Sequence, residues 1–216
     1  MDPDAWVMVM TGAGDRAFCA GADVKEMGRR AEGEASAPMW EPDLDLRYVL
    51  PPWKPMVAAV NGYALGGGLA YALQCDIRIC SVNAIFGYPE VKIGVAGGTS
   101  DTWLMPRYVP MGEAMYLLLT GDFIDAQEAY RIGLVHQVTS LPDLMPTAMQ
   151  IATKIAGNSP LAVQAQKRAV MLGLSLPIEQ SQRLTKILAD QVRQSEDAKE
   201  GIRAFLEKRS PKYQGR

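Results

Sequence analysis

Apolar positions in the first half of the chain come in short unbroken runs, and in the second half they recur at helical spacing. Trp6-Val7-Met8-Val9-Met10, closed by Thr11-Gly12-Ala13-Gly14, reads as a buried strand and its turn. Met56-Val57-Ala58-Ala59-Val60 is a second such run. Asp76-Ile77-Arg78-Ile79-Cys80 alternates and predicts a strand, and Ala84 to Tyr88 predicts another short one. A helix starts near Ala22-Asp23-Val24, and another runs from Leu69 to about Gln74. Residues 28–43, rich in Gly, Ala, Glu and Pro, predict a mobile surface segment. A short helix is expected over 44–50, ended by Pro51-Pro52. Strands alternating with helices in this way point to an α/β layered core.

From about residue 100 the pattern is helical. Asp125 is the expected N-cap of a helix over 126–132, with Gly133 past its end. Helices are expected over 143–157, 160–172, 177–194 and 196–209, bounded by breakers such as Ser159-Pro160 and Pro177. Ile178, Leu184, Ile187, Leu188 and Val192 share one helix face. The chain therefore divides into an α/β core over 1–140 and a helical C-terminal part over 141–216.

Composition narrows the function classes. With 216 residues, 48% of them hydrophobic and 21% charged, the chain reads as an ordinary soluble globular protein. A net charge of -2 gives no reason to expect nucleic acid or an anionic membrane as partner. No apolar run approaches the ~18 residues of a membrane span. Met1-Asp2-Pro3-Asp4 lacks the basic start of a signal peptide, and Cys19, Cys75 and Cys80 read as buried free thiols, so a cytoplasmic location is expected. A single histidine, His136, and the absence of a Cys-x-x-Cys pair leave little basis for a metal centre. His136 reads as a surface residue beside a strand.

Two glycine elements carry the candidate chemistry: Phe18-Cys19-Ala20-Gly21-Ala22-Asp23, and Asn61-Gly62-Tyr63-Ala64-Leu65-Gly66-Gly67-Gly68. Each lies between a predicted strand and a helix. The first turn of a helix has unpaired N–H donors and partial positive charge, and glycine lets another molecule approach them. Two such N–H groups aimed at one oxygen form an oxyanion hole. Taken alone, either element is equally a tight turn. The phosphate-loop pattern Gly-x-x-x-x-Gly-Lys-[Ser/Thr] and the dinucleotide pattern Gly-x-Gly-x-x-Gly are both absent.

These segments, with Lys54 to Val60, Cys75 to Ile79, Phe86-Gly87-Tyr88-Pro89-Glu90-Val91, Pro106-Arg107, Ala126 to Val135 and Glu200 to Arg209, resemble the crotonase superfamily, the enoyl-CoA hydratase/isomerase family. The resemblance implies a spiral of ββα units with a helical trimerisation part, assembled as trimers or hexamers. It implies an acyl-CoA thioester as substrate and no cofactor beyond the coenzyme A that the substrate carries. The N–H groups of Ala22 and Gly67 would hold the thioester oxygen. Ala20, Asp23, Val24 and Lys25 would lie along the CoA moiety. Glu90 falls on a catalytic glutamate, and Lys208, placed in the C-terminal helix, matches a basic residue that reaches CoA phosphates across subunits.

The chain departs from that pattern in three places. The hydratase's second glutamate is replaced by Ala70, which leaves either single-base chemistry at Glu90 or a non-catalytic acyl-CoA-binding relative. After Glu90, the turn to Trp103 differs, and Asp101 there is a candidate second acid, with a helix-start role as the alternative. Tyr63, Tyr71, Tyr88 and Trp103 are expected in the acyl pocket or in the core. Relatives usually carry roughly 35–40 residues ahead of the segment matching Trp6, and lacking them would expose a strand edge and apolar surface.

Overall fold

The computed structural model describes residues 4–32, 53–97 and 100–216. They fall into two compact units, one drawn from Val9–Pro52 and Met56–Met149, the other from Met1–Met8, Trp53–Pro55 and Gln150–Arg216.

The first unit is built on two four-stranded sheets. One has the order β1 (Met8–Thr11), β3 (Met56–Val60), β5 (Ile77–Ser81), β8 (Gln137–Thr139); the other has β2 (Ala17–Cys19), β4 (Tyr63–Leu65), β6 (Ile85–Gly87), β7 (Phe123–Asp125). From β1 to β6, strands consecutive in sequence alternate between the sheets. A helix then follows each such pair: α1 (Val24–Ala31), α2 (Gly67–Gln74), and, after a 3₁₀ turn at Pro89–Ile93, α3 (Asp101–Tyr108). This is a repeating ββα arrangement.

Pairing is parallel for β3 with β5, β5 with β8, β2 with β4 and β4 with β6, while β7 runs antiparallel to β6. All five residues of β3 are buried, which is why its sequence is an uninterrupted apolar run rather than an alternating one.

Two buried polar side chains fix the turns. The Asn61 amide accepts from the Gly12 N–H at 3.1 Å and donates to the Gly12 and Gly14 carbonyls at 3.1 and 2.8 Å. Arg78 donates to the Leu134 and Cys75 carbonyls at 2.8 and 2.7 Å and lies over the Tyr108 ring. Burial pulls its pKa below the ordinary arginine value, partly offset by Tyr108.

Helices α4 (Met111–Thr120) and α5 (Ala126–Arg131) complete the first unit, and Asp125 caps α5 by accepting from the Glu128 N–H at 2.8 Å, as its sequence predicts. Several elements differ from expectation. The three-residue strands β2, β4 and β7 are too short to show a period. Strand β1 begins two residues later than Trp6. Helix α1 runs on to Ala31, so the predicted mobile segment is helical over 28–31. Its remainder and the short helix over 44–50 lie outside the described residues.

The second unit contains α7 (Pro160–Gly173), α8 (Ile178–Arg193) and α9 (Glu196–Leu206), and the C-terminal end of α6 (Leu141–Ala156). Ser159 and Ser195 cap α7 and α9 by accepting from the Ala162 and Ala198 N–H groups.

Helix α9 ends at Leu206, short of the expected 209, so Lys208 stands beyond the helix rather than in it. The Lys208 N–H donates to the Phe205 carbonyl and the Arg209 N–H to the Ala204 carbonyl, a Schellman closure. That closure puts Lys208 at φ 54°, the one positive φ among the described non-glycine residues.

The chain end folds back on α9. Buried Asp197 accepts from the Gln214 and Gly215 N–H groups at 2.7 and 3.0 Å and from the Ser159 hydroxyl at 3.2 Å. Asp197→Ala strands these donors, so it should cost about 3 kcal/mol in urea unfolding and speed tryptic cleavage after Lys212. Unchanged stability and cleavage would show that the tail is not held by this carboxylate.

Candidate active site

The site lies where β2 and β4 end side by side. Their parallel pairing, with Cys19 opposite Ala64, brings the segment after Cys19 against the start of α2. A Cβ on Gly68 would stand 1.9 Å from the Cys19 carbonyl oxygen, so only glycine permits this approach. Gly21, at φ +90°, also passes close: its Cβ would lie 2.9 Å from the Leu65 oxygen and 3.6 Å from the Gly67 nitrogen. The two glycine elements of the sequence therefore meet, with Ala22 following directly.

Gly66 is the N-cap of α2, at φ 53° and ψ -124°, a conformation open to glycine alone. Its N–H donates to the Gly87 carbonyl at 3.0 Å. Among the described residues, the N–H groups of Ala22 and Gly67 donate to nothing. Gly67 faces open space: a Cβ there would meet no atom within 4 Å. Gly67 thus sets an uncommitted donor on open space at a helix N-terminus, near the Gly21 segment, a place suited to a negatively charged oxygen.

Glu90 enters the site on the 3₁₀ turn, whose first residue is Pro89. A Cβ on Gly66 would stand 2.2 Å from the Glu90 Oε1 atom, so the carboxyl occupies space left by a missing side chain. Its Oε2 atom is buried with no hydrogen-bond partner. Desolvation pushes the Glu90 pKa above the ordinary glutamate value; the Asp101 charge adds to the rise, and a backbone hydrogen bond opposes it. The turn is held from behind. Its Val95 N–H donates to the Glu90 carbonyl at 3.0 Å, and Lys92 points outward to Asp122 at 2.8 Å. A carboxyl of this kind can give or take a proton beside a bound oxyanion.

Asp101 is the first residue of α3 and is 1% exposed, which sets it apart from an ordinary solvated helix-start acid. A Cβ on Gly97 would fall 1.9 Å from its Oδ2 atom. The preceding Ser100 hydroxyl donates to the Ala70 carbonyl at 3.3 Å and accepts from the Gln74 amide at 3.0 Å. Sequence reasoning singled out Asp101 but missed Gly97 and Ser100, and it missed Gly66 as the seat of Glu90. No local signal marks these, because each role depends on a segment distant in sequence.

The remaining expected residues are distributed around this centre. Asp23 accepts from the Lys25 N–H at 2.9 Å at the start of α1, and Ala20 and Val24 are exposed alongside. Tyr88 is core; Tyr63 is exposed, and Tyr71 and Trp103 are half-buried. Lys208 is exposed and belongs to the other compact unit. His136 is exposed, as expected. Cys75 and Cys80 are buried, with burial pushing the Cys80 thiol up to about 12, while Cys19 is only half-buried. Among the described residues no group of His, Cys, Asp and Glu could hold a metal ion, and no helix is long and apolar enough to cross a membrane.

Comparison with known proteins gives a consistent result. A family model described as enoyl-CoA hydratase/isomerase matches residues 1–216. An (E)-benzylidenesuccinyl-CoA hydratase of Thauera aromatica is 44% identical, covering 99% of this chain and 83% of that protein. A short-chain-enoyl-CoA hydratase of Clostridium acetobutylicum is 40% identical over 96% of this chain and 80% of its own length. The crystal structure of an enoyl-CoA hydratase from Mycobacterium marinum superposes with a TM-score of 0.89 at 36% identity, covering 100% of this chain and 84% of that one.

The two central glycines should respond oppositely to alanine. Gly68→Ala forces a methyl group into a backbone carbonyl and should cost about 3 kcal/mol, a drop of roughly 6–12 °C in Tm. Gly67→Ala meets only open space and should leave Tm unchanged or slightly raised. Equal Tm values for the two variants would contradict the close approach of Cys19 to α2.

Proposed function

Because the chain belongs to the enoyl-CoA hydratase/isomerase family, we propose that it turns over an acyl-CoA thioester through an enolate, with Glu90 as the acid/base. The observation that carries this reading is the Glu90 carboxyl, one oxygen bare and buried, set against Gly66 directly before the free N–H of Gly67.

The chemistry follows from charge. Water adding at Cβ, or a base removing a proton from Cα, drives an electron pair toward the thioester oxygen. The N–H groups of Ala22 and Gly67 would stabilise that oxygen, and losing one such donor typically costs ~10²–10³ in rate. Glu90 would pass the proton at Cα. Ala20, Asp23, Val24 and Lys25 would line the CoA path, and Lys208 would meet its phosphates in a homotrimer or a hexamer. Exposed apolar side chains such as Leu119, Phe205 and Leu206 support such an assembly. The relatives described above are named hydratases, which favours hydration over double-bond isomerisation. Ala70 favours a second reading, an acyl-CoA-binding protein without turnover.

A short enoyl-CoA in deuterated water separates these readings. Loss of enoyl absorbance indicates hydration, and γ-carbon exchange without it indicates isomerisation. Binding with neither supports the non-catalytic relative. Glu90→Gln should lower turnover by at least ~10²-fold while leaving thioester binding nearly unchanged; a fully active variant would remove Glu90 from the mechanism.

The pH dependence has a defined sign. The base form of Glu90 appears only above the ordinary glutamate range, so Cα–H exchange should fall as pH drops through the raised pKa. A raised folded-state pKa means a stability contribution present below the unfolded pKa and lost as pH rises through the folded one. Glu90→Gln should therefore exceed wild-type stability at neutral pH and lose that advantage below about pH 4, near the unperturbed glutamate value. Parallel stability curves would show that the carboxyl is not desolvated.

A further inference from the structure

We propose that Asp101 is the second carboxylate of the hydration step, supplied from α3 at the turn of α2 where position 70 carries only a methyl group. This rests on the acyl-CoA reading above and extends it to the residue that handles water.

Three observations converge. The start of α3 is pinned to the relevant turn of α2, because Ser100 bonds both the Ala70 carbonyl and the Gln74 amide. Asp101 itself is 1% exposed, with its carboxylate in the space that a side chain at Gly97 would fill. An acid that only complements a helix dipole gains little from burial and incurs its desolvation cost. The Asp101 charge is also felt at Glu90.

Glu90 and the Ser100 hydroxyl beside Asp101 meet α2 one helical turn apart. Glu90 seats at Gly66, and the Ala70 N–H donates to the Gly66 carbonyl, one helical turn on.

The step balances with these two groups. The water oxygen bonds to Cβ while one water proton passes to the Asp101 carboxylate. The alkene electron pair moves through Cα to the thioester oxygen, held by Ala22 and Gly67. In this step the carboxylic acid form of Glu90 delivers its proton to Cα as the enolate collapses. One water is added, and the two carboxyls recover their starting protonation through solvent. The acid role falls to Glu90, whose carboxyl is set against Gly66 with one oxygen buried and unpartnered, and the base role to Asp101.

The test uses crotonyl-CoA for hydration and butyryl-CoA in deuterated water for Cα–H exchange, which needs Glu90 alone. Asp101→Asn should cut hydration by ~10²–10⁴-fold and leave exchange within about threefold. The double variant Asp101→Asn/Ala70→Glu should recover at least about tenfold of the lost hydration, because it returns a carboxylate to the same turn.

Hydration at the wild-type rate in Asp101→Asn overturns the proposal. So does joint loss of hydration and exchange without rescue, which would make Asp101 structural. Wild-type protein that exchanges but does not hydrate overturns the role of Asp101 and spares that of Glu90. Asp101-dependent hydration that survives Glu90→Gln supports Asp101 and sinks the assignment of Glu90.

Discussion

The structure of the site depends on a contact with no side chain in it. The Cys19 carbonyl at the end of β2 lies on the Cα of Gly68 in the first turn of α2, closer than any Cβ would allow. Parallel pairing of β2 with β4 sets the direction of this approach. Three glycines then divide the work. Gly68 admits the neighbouring chain, Gly67 leaves an open face with a free donor, and Gly66 takes a conformation closed to other residues and makes room for Glu90. A methyl group at either flanking position would separate parts that must act together.

That packing explains the electrostatics. A carboxyl set into the gap beside Gly66 is cut off from water on one oxygen, and no protein donor replaces the lost hydration. Such an arrangement disfavours the charged form and is tolerated where a reaction uses it. The negative charge at buried Asp101 acts in the same direction. Among the described residues of this unit, buried polar side chains such as Asn61 and Arg78 are well partnered, whereas the Glu90 Oε2 atom is not.

The sequence made the large features legible for physical reasons. Long helices carry a period and caps, so α7 and α8, and the Asp125 cap of α5, are recognisable from residue order. Strand β3 is buried on both faces and shows as a continuous apolar run. What stayed hidden was short or non-local. Three residues of β4 or β7 have no period to detect. The glycine run showed that a turn or hole was present, but which glycine served which purpose depends on Cys19, Leu65 and Glu90 in space. Ala70 read as a loss in one dimension, whereas Ser100, the residue before Asp101, comes to the same turn from the start of a different helix. The end of α9 was overrun because Lys208 does not look like a helix terminator.

That terminator has a consequence for anyone seeking to stabilise this protein. Glycine is the residue that a Schellman closure favours at its left-handed position, and an L-residue there forgoes roughly 1 kcal/mol. Sequence-statistical or structure-based optimisation would therefore rank replacement of Lys208 by glycine among the attractive changes. The same change would delete an exposed cation. A stabilisation campaign guided by backbone geometry alone would thus trade the cation proposed above to meet CoA phosphates for thermal resilience, and screening by melting temperature would record only the gain.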